Sequence, residues 1–146
     1  MADSRRELAL QDVIAALSGA GKPAELTVHR FRLRPLNADL LPAVAVYLLN
    51  EQRTRPTTRF STLEKGVILI GLQFRVESET PDVTLDPYLV WAEQALVAAP
   101  LPGGTADDVQ LRSIDWGGEA RDKQYGIALM QFALQVDTKV GDPTTL

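Results

Sequence analysis

Hydrophobic and polar positions change period along this chain, and the changes divide it into helices and strands. Ser4-Arg5-Arg6-Glu7 has the S-x-x-E spacing of a capping box, in which the serine hydroxyl and the glutamate carboxylate satisfy backbone donors at a helix start. Leu10, Val13, Ile14 and Leu17 follow at helical spacing, Arg6, Gln11 and Ser18 take the wetter side, and Gly19 and Gly21 stop the pattern. A first helix is predicted over residues 5–18.

From Leu26 to Arg34 the period becomes two, with Arg30, Arg32 and Arg34 on one side and His29, Phe31 and Leu33 on the other, as in a half-exposed strand. After Pro35 and Pro42, the residues Val44, Val46 and Leu48 alternate with Ala45, Tyr47 and Leu49. Both sides are apolar, which predicts an interior strand covered on both faces. Asn50 to Thr58 is polar and contains Pro56, so a projecting loop is predicted near residues 50–64, with ends still free to pair. Val67 to Val76 is the strongest strand signal, and Gly71 within it marks a bulge or a close backbone approach.

Glu77 to Asp82 reads as an acidic turn. Asp86-Pro87 then has the form of an N-cap followed by proline at the first helical position, with Leu85 and Val90 set for a hydrophobic staple. Leu89, Ala92 or Glu93, and Leu96 continue a helical face until Pro100-Leu101-Pro102-Gly103-Gly104, which predicts a second helix over residues 87–99. Val109 to Trp116 and Tyr125 to Val136 predict an antiparallel pair, with Ala128, Met130, Phe132, Leu134 and Val136 sharing one side. Residues 137–146 read as a loose C-terminal tail.

This order of elements predicts one α+β domain over residues 1–146, with a mostly antiparallel or mixed sheet of four to five strands packed with two main helices. The absence of Cys excludes disulfides and thiolate metal sites. A formal charge of -4 argues against a dedicated nucleic-acid binder, because such binding draws its affinity from Lys and Arg neutralising phosphates. No apolar run approaches the roughly 18 residues of a membrane span, so a soluble chain with no membrane partner is expected.

Few residues offer chemistry. His29 is the only histidine, and no nucleophile-elbow motif accompanies it, so it reads as a strand or subunit-contact residue rather than part of a triad. One His and no Cys make a zinc site unpromising, and no segment has the spacing of a calcium loop. Glu77 and Glu79, with Asp82 near, share one side of an extended segment and read as solvated charges, as do Asp107-Asp108. Gly103-Gly104 lacks the lysine of a phosphate loop. The least ordinary feature is basic: Arg30, Arg32, Arg34, Arg53, Arg55 and Arg59 fall within thirty residues of an acidic chain. They are either gatekeepers of an edge strand or a surface that pairs with acidic groups of a neighbouring subunit or partner, with DNA contact a third reading. Glu77 and Glu79 join them as candidate interface residues, and no catalytic, cofactor or metal residue is expected.

The element order, the phrase Leu41-Pro42-Ala43-Val44-Ala45-Val46-Tyr47, the charged excursion, and the helix opening at Leu85-Asp86-Pro87 together resemble the tail terminator, or tail completion, proteins of long-tailed bacteriophages. Val90, Glu93 and Leu96 on that helix and the closing phrase Phe132-Ala133-Leu134-Gln135-Val136 extend the resemblance over nearly the whole chain. It implies a non-enzymatic virion protein without a cofactor that forms a homohexameric ring, caps the completed tail tube, halts its polymerisation and offers a surface to the head connector. Six copies would carry about six times -4 in formal charge, and DNA would pass through the ring without specific binding. A neck or head–tail connector subunit, or an interaction module of a bacterial secretion or contractile apparatus, fits the same pattern. A different class, a small-ligand-binding or enzymatic α+β domain, requires His29, Tyr47 and the Glu77 to Asp82 acids to converge on a pocket.

Overall fold

The computed structural model describes residues 3–19, 21–30, 41–54, 63–98, 100–120 and 124–139. The elements run α1 (Arg5–Leu17), β1 (Thr27–Arg30), β2 (Ala43–Thr54), β3 (Leu63–Glu77), α2 (Pro81–Val97), β4 (Asp108–Ala120), β5 (Gln124–Gln135) and β6 (Thr138–Lys139). Among the described residues the fold is α+β, with two helices and a five-stranded mixed sheet in the order β1-β2-β3-β5-β4. β1 lies parallel to β2 and the other neighbours are antiparallel, while β6 pairs with the start of β3. The sequence-predicted order of helices and strands is the observed one from α1 through β5, and the two-residue β6 is an addition to it.

One face of the sheet carries the core. Register aligns Val44 with Phe74 and Ala128, Val46 with Leu72 and Met130, and Ile70 with Phe132. All of these side chains are buried together with Leu10, Val13 and Leu17 of α1 and Leu85, Leu89, Ala92 and Leu96 of α2, so both helices pack on this face. The shared side predicted for Ala128, Met130, Phe132, Leu134 and Val136 is the buried one.

Several boundaries differ from the sequence expectation. The Ser4 hydroxyl caps α1 by accepting from the Glu7 N–H at 3.2 Å, but the Glu7 carboxylate turns outward to Arg30, so only half of the capping box forms. Helix α2 begins at Pro81, six residues before Pro87, because Pro81 itself occupies the first turn behind the N-cap Thr80. Ser78 Oγ accepts from the Thr80 N–H at 3.1 Å and meets Thr84 Oγ1 at 2.7 Å, which ties that turn together. Pro87 is tolerated inside the helix because the carbonyl it leaves without a donor belongs to Val83, whose side chain is on the solvent side, where water can serve. Val90 is exposed, so the predicted staple with Leu85 is not made.

The projecting loop predicted near 50–64 is shorter than expected. Asn50 to Thr54 continue β2 and pair with Leu69 to Lys65 of β3, and residues 55–62 lie outside the described residues. Polar residues are accommodated there because Asn50, Gln52 and Thr54 are exposed, while Glu51 is paired with Arg6 of α1 and with Arg53. The tail predicted over 137–146 begins in the sheet instead, since Thr138 and Lys139 pair with Glu64 and Leu63, and residues 140–146 lie outside the described residues. The double coverage predicted for Val44 to Leu49 also fails: Val44 and Val46 are buried, whereas Leu48 and Leu49 are exposed.

Candidate interaction surface

The face of the sheet away from the helices is built from the alternate positions. Tyr47, Leu69, Gly71, Gln73, Ile127, Leu129, Gln131 and Ala133 fall here by register. Two irregularities shape it. In β2 the register steps between Leu48, opposite Ile70, and Asn50, opposite Leu69, so Leu49 is an inserted residue. In β4 it steps between Leu111, opposite Phe132, and Ser113, opposite Gln131, so Arg112 is inserted. Ile70 and Phe132 are themselves paired, so the two bulges straddle one line across the sheet. A bulge adds one unpaired residue, bends its strand and re-aims the side chains that follow.

Each bulge reverses the facing of what lies beyond it. Without Leu49 as an extra residue, Arg53 would share a face with Ala45 and Tyr47. With it, Glu51 and Arg53 stand opposite Ile68 and Gly66 on the helix side. There Arg6 Nε of α1 meets Glu51 Oε2 at 2.6 Å, Arg53 Nη2 meets Glu51 Oε1 at 3.0 Å, and Arg53 Nη1 reaches Glu64 Oε2 at 3.6 Å. Burial raises the Glu51 pKa, but the hydrogen bonds from Arg6 and Arg53 outweigh it and hold the carboxyl below its ordinary value.

The candidate interface residues do not form one surface among the described residues. Arg30, on β1, donates both guanidinium nitrogens to Glu7 of α1 at 2.7 and 2.6 Å, and this bond lowers the Glu7 pKa. Arg53 belongs to the network just described. Glu77 ends β3 and Glu79 follows in the exposed turn before α2. Arg32, Arg34, Arg55 and Arg59 lie outside the described residues. The structure therefore joins Arg30 and Arg53 to acids of their own chain, and puts Glu77 and Glu79 at the far end of β3 from Arg53.

The constellation His29, Tyr47 and Glu77 to Asp82 is not assembled. His29 stands beside Ala45 on the open face, its Nε2 2.9 Å from Thr27 Oγ1, and Tyr47 is its near neighbour along β2. Tyr47 is paired with Gly71, six residues before Glu77 on β3, which is about 20 Å of extended strand. Among the described residues no three His, Cys, Asp or Glu side chains are grouped to hold a metal ion, and no helix is long and apolar enough to cross a membrane.

What the open face does hold is a groove of about 340 Å³ lined by Asn50, Gln52, Val67, Leu69, Arg112 and Gln131. Its floor is aliphatic, its rim is carboxamide, and its single charge is the guanidinium of the β4 bulge. Sequence reasoning missed Arg112, although a signal was present. Apolar positions in β4 fall at Val109, Leu111, Ile114 and Trp116, so the period of two breaks once, between 111 and 114, where the insertion sits. No family model matches the chain, and no curated protein matches it.

Proposed function

We propose that the chain is a structural subunit of a closed ring, a tail-terminator-like virion protein that caps a completed phage tail tube, stops its polymerisation and presents a surface to the head connector. The observation that carries this reading is that, among the described residues, the helices cover only one face of the sheet. Both described helices pack on one face, while the other face keeps Leu49 and Val67 exposed and holds a groove floored by Val67 and Leu69. A helix layer on one face, with exposed aliphatic side chains among polar ones on the other, suits a protein that works by contact with copies of itself and with a tube. The element order and the long hairpin of β2 and β3 support the same reading. Closure by rotational symmetry would leave one end of the ring complementary to the tube and the other unable to add another tube ring. DNA would pass through the ring without specific contacts.

Electron microscopy of the purified chain, alone and mixed with tail tubes, tests the proposal. Annular particles that bind one tube end, and overlong tails assembled when the chain is withheld, are the expected results. A monomer at every concentration that ignores tube ends, or tails of normal length built without it, would overturn the reading.

A further inference from the structure

The groove on the open face carries a cation that has no side-chain partner among the described residues. Arg112 is exposed on the β4 bulge, and among the described residues it makes no ion pair and no side-chain hydrogen bond. Beneath it lie Val67 and Leu69, and Asn50, Gln52 and Gln131 offer both donors and acceptors at the rim. An occupant that fits presents a carboxylate to the guanidinium and an aliphatic side chain to the floor, on a turn narrow enough to enter.

The same chain carries that combination at the corner between β3 and α2. Glu79 and Asp82 are exposed there and make no ion pair among the described residues. Val83, beside them, is 66% exposed, more than any other large hydrophobic side chain among the described residues. The corner cannot reach its own groove. Leu69 and Glu77 sit eight residues apart on one continuous strand, about 26 Å, and the corner begins beyond Glu77.

We propose that the groove receives the residue 79–83 corner of a second copy of this chain, with Arg112 pairing with Glu79 and Asp82 while Val83 covers Val67 and Leu69. This rests on the ring reading and names the contact that would close it. The contact is heterologous: each copy offers a groove to one neighbour and a corner to the other, so the pattern repeats until rotation closes it. Arginine suits the groove because its planar fork meets carboxylates with two donors.

Two variants of opposite sign test the contact by native mass spectrometry and light scattering, with thermal melting as the check that each remains folded. Arg112→Glu alone, and Glu79→Arg with Asp82→Asn, each raise the concentration at which the assembly dissociates by about tenfold or more. Mixing the two variants restores it, because the reversed groove of one accepts the reversed corner of the other while the two native surfaces also meet. Rings that persist in both variants would overturn the docking and leave the ring reading standing. Persistent rings in which Arg112→Glu has lost tube-end binding would assign the groove to an acidic segment of the tube subunit instead. A wild-type chain that stays monomeric at every concentration would overturn docking between copies. Separate variants that dissociate but fail to reassemble when mixed would also overturn the pairing.

Discussion

Asp12 and Gly103, ninety-one residues apart, are joined by a 2.7 Å hydrogen bond from the Gly103 N–H to the Asp12 carboxylate. The second carboxylate oxygen accepts from the Thr105 N–H at 3.1 Å, and Arg5 of the same helix donates to the Thr105 carbonyl at 3.1 Å. One helix face thus holds the connection that leaves α2, and Asp12 is buried in doing so. Asp12→Ala leaves two backbone donors without their acceptor, and we expect a loss of about 2–3 kcal/mol in denaturant unfolding. Gly103→Ala should cost about 1–2 kcal/mol by the same measurement, since a Cβ there runs into the carboxylate, with Cγ only 2.8 Å away.

Gly71 is expected to resist enlargement for a different reason. A Cβ at that position stands 3.0 Å from Tyr47 Cζ and 3.1 Å from Leu49 Cδ1, so the cross-strand ring and the bulge residue both lie over it. Gly71→Val should destabilise by about 2 kcal/mol and shift Tyr47, whose hydroxyl pKa is raised by burial. Thermal unfolding gives the first, and tyrosine ring resonances give the second. An unchanged Tyr47 environment would contradict this packing.

Acid should loosen the helix-to-sheet ties. Glu7 and Glu51 both have folded pKa values below their ordinary 4.5. Their stabilisation is therefore present above that value and is lost as pH falls through the lower folded values. A plot of melting temperature against pH should drop below about pH 4.5, and Glu51→Gln should make the drop shallower. An equal slope in the variant would remove Glu51 from the account.

Alkali should act at Tyr88. Burial, and then the 2.9 Å bond that its hydroxyl donates to Glu25, push its pKa up to about 12. A raised folded pKa contributes stability that is complete below the unfolded value of 10.0 and disappears as pH rises through about 12. Tyrosinate absorbance should reveal a ring titrating near pH 12, absent in Tyr88→Phe, and the variant should lose less stability over that range.

Deletions should discriminate bulge residues from ladder residues. Removing Arg112 or Leu49 leaves regular alternation on both sides of the cut, so the fold should survive with melting changed by only a few degrees. Removing Ala45 instead turns part of β2 over and takes Val44 or Val46 out of the core, which should prevent cooperative unfolding. Circular dichroism melts of the three deletions decide the point.

Local pattern determined most of the architecture. The 3.6-residue repeat of Leu10, Val13 and Leu17, the period of two through Ala128 to Val136, and the punctuation at Gly19 and Pro100 are statements about neighbouring residues, and α1 and β5 formed where such patterns stood. Element ends were less legible where two local signals competed. Asp86-Pro87 has the form of a helix start, yet Thr80-Pro81 has it too, and only the packing of Leu85 against the sheet extends the helix back to the earlier one. In the same way, polar composition hid the strand at Asn50 to Thr54, because backbone pairing with β3 does not depend on side-chain hydrophobicity.

By itself, the sequence determined the elements, their order and the buried side of β5, because hydrophobic period is a property of a single strand or helix. Which acid each arginine meets, and which face Arg53 takes, was decided only in three dimensions. A one-residue insertion opposite a regular partner strand reverses every side chain beyond it, and the partner strands lie far away in the chain. The groove exists because two such insertions, sixty-three positions apart, flank one pair of residues, Ile70 and Phe132.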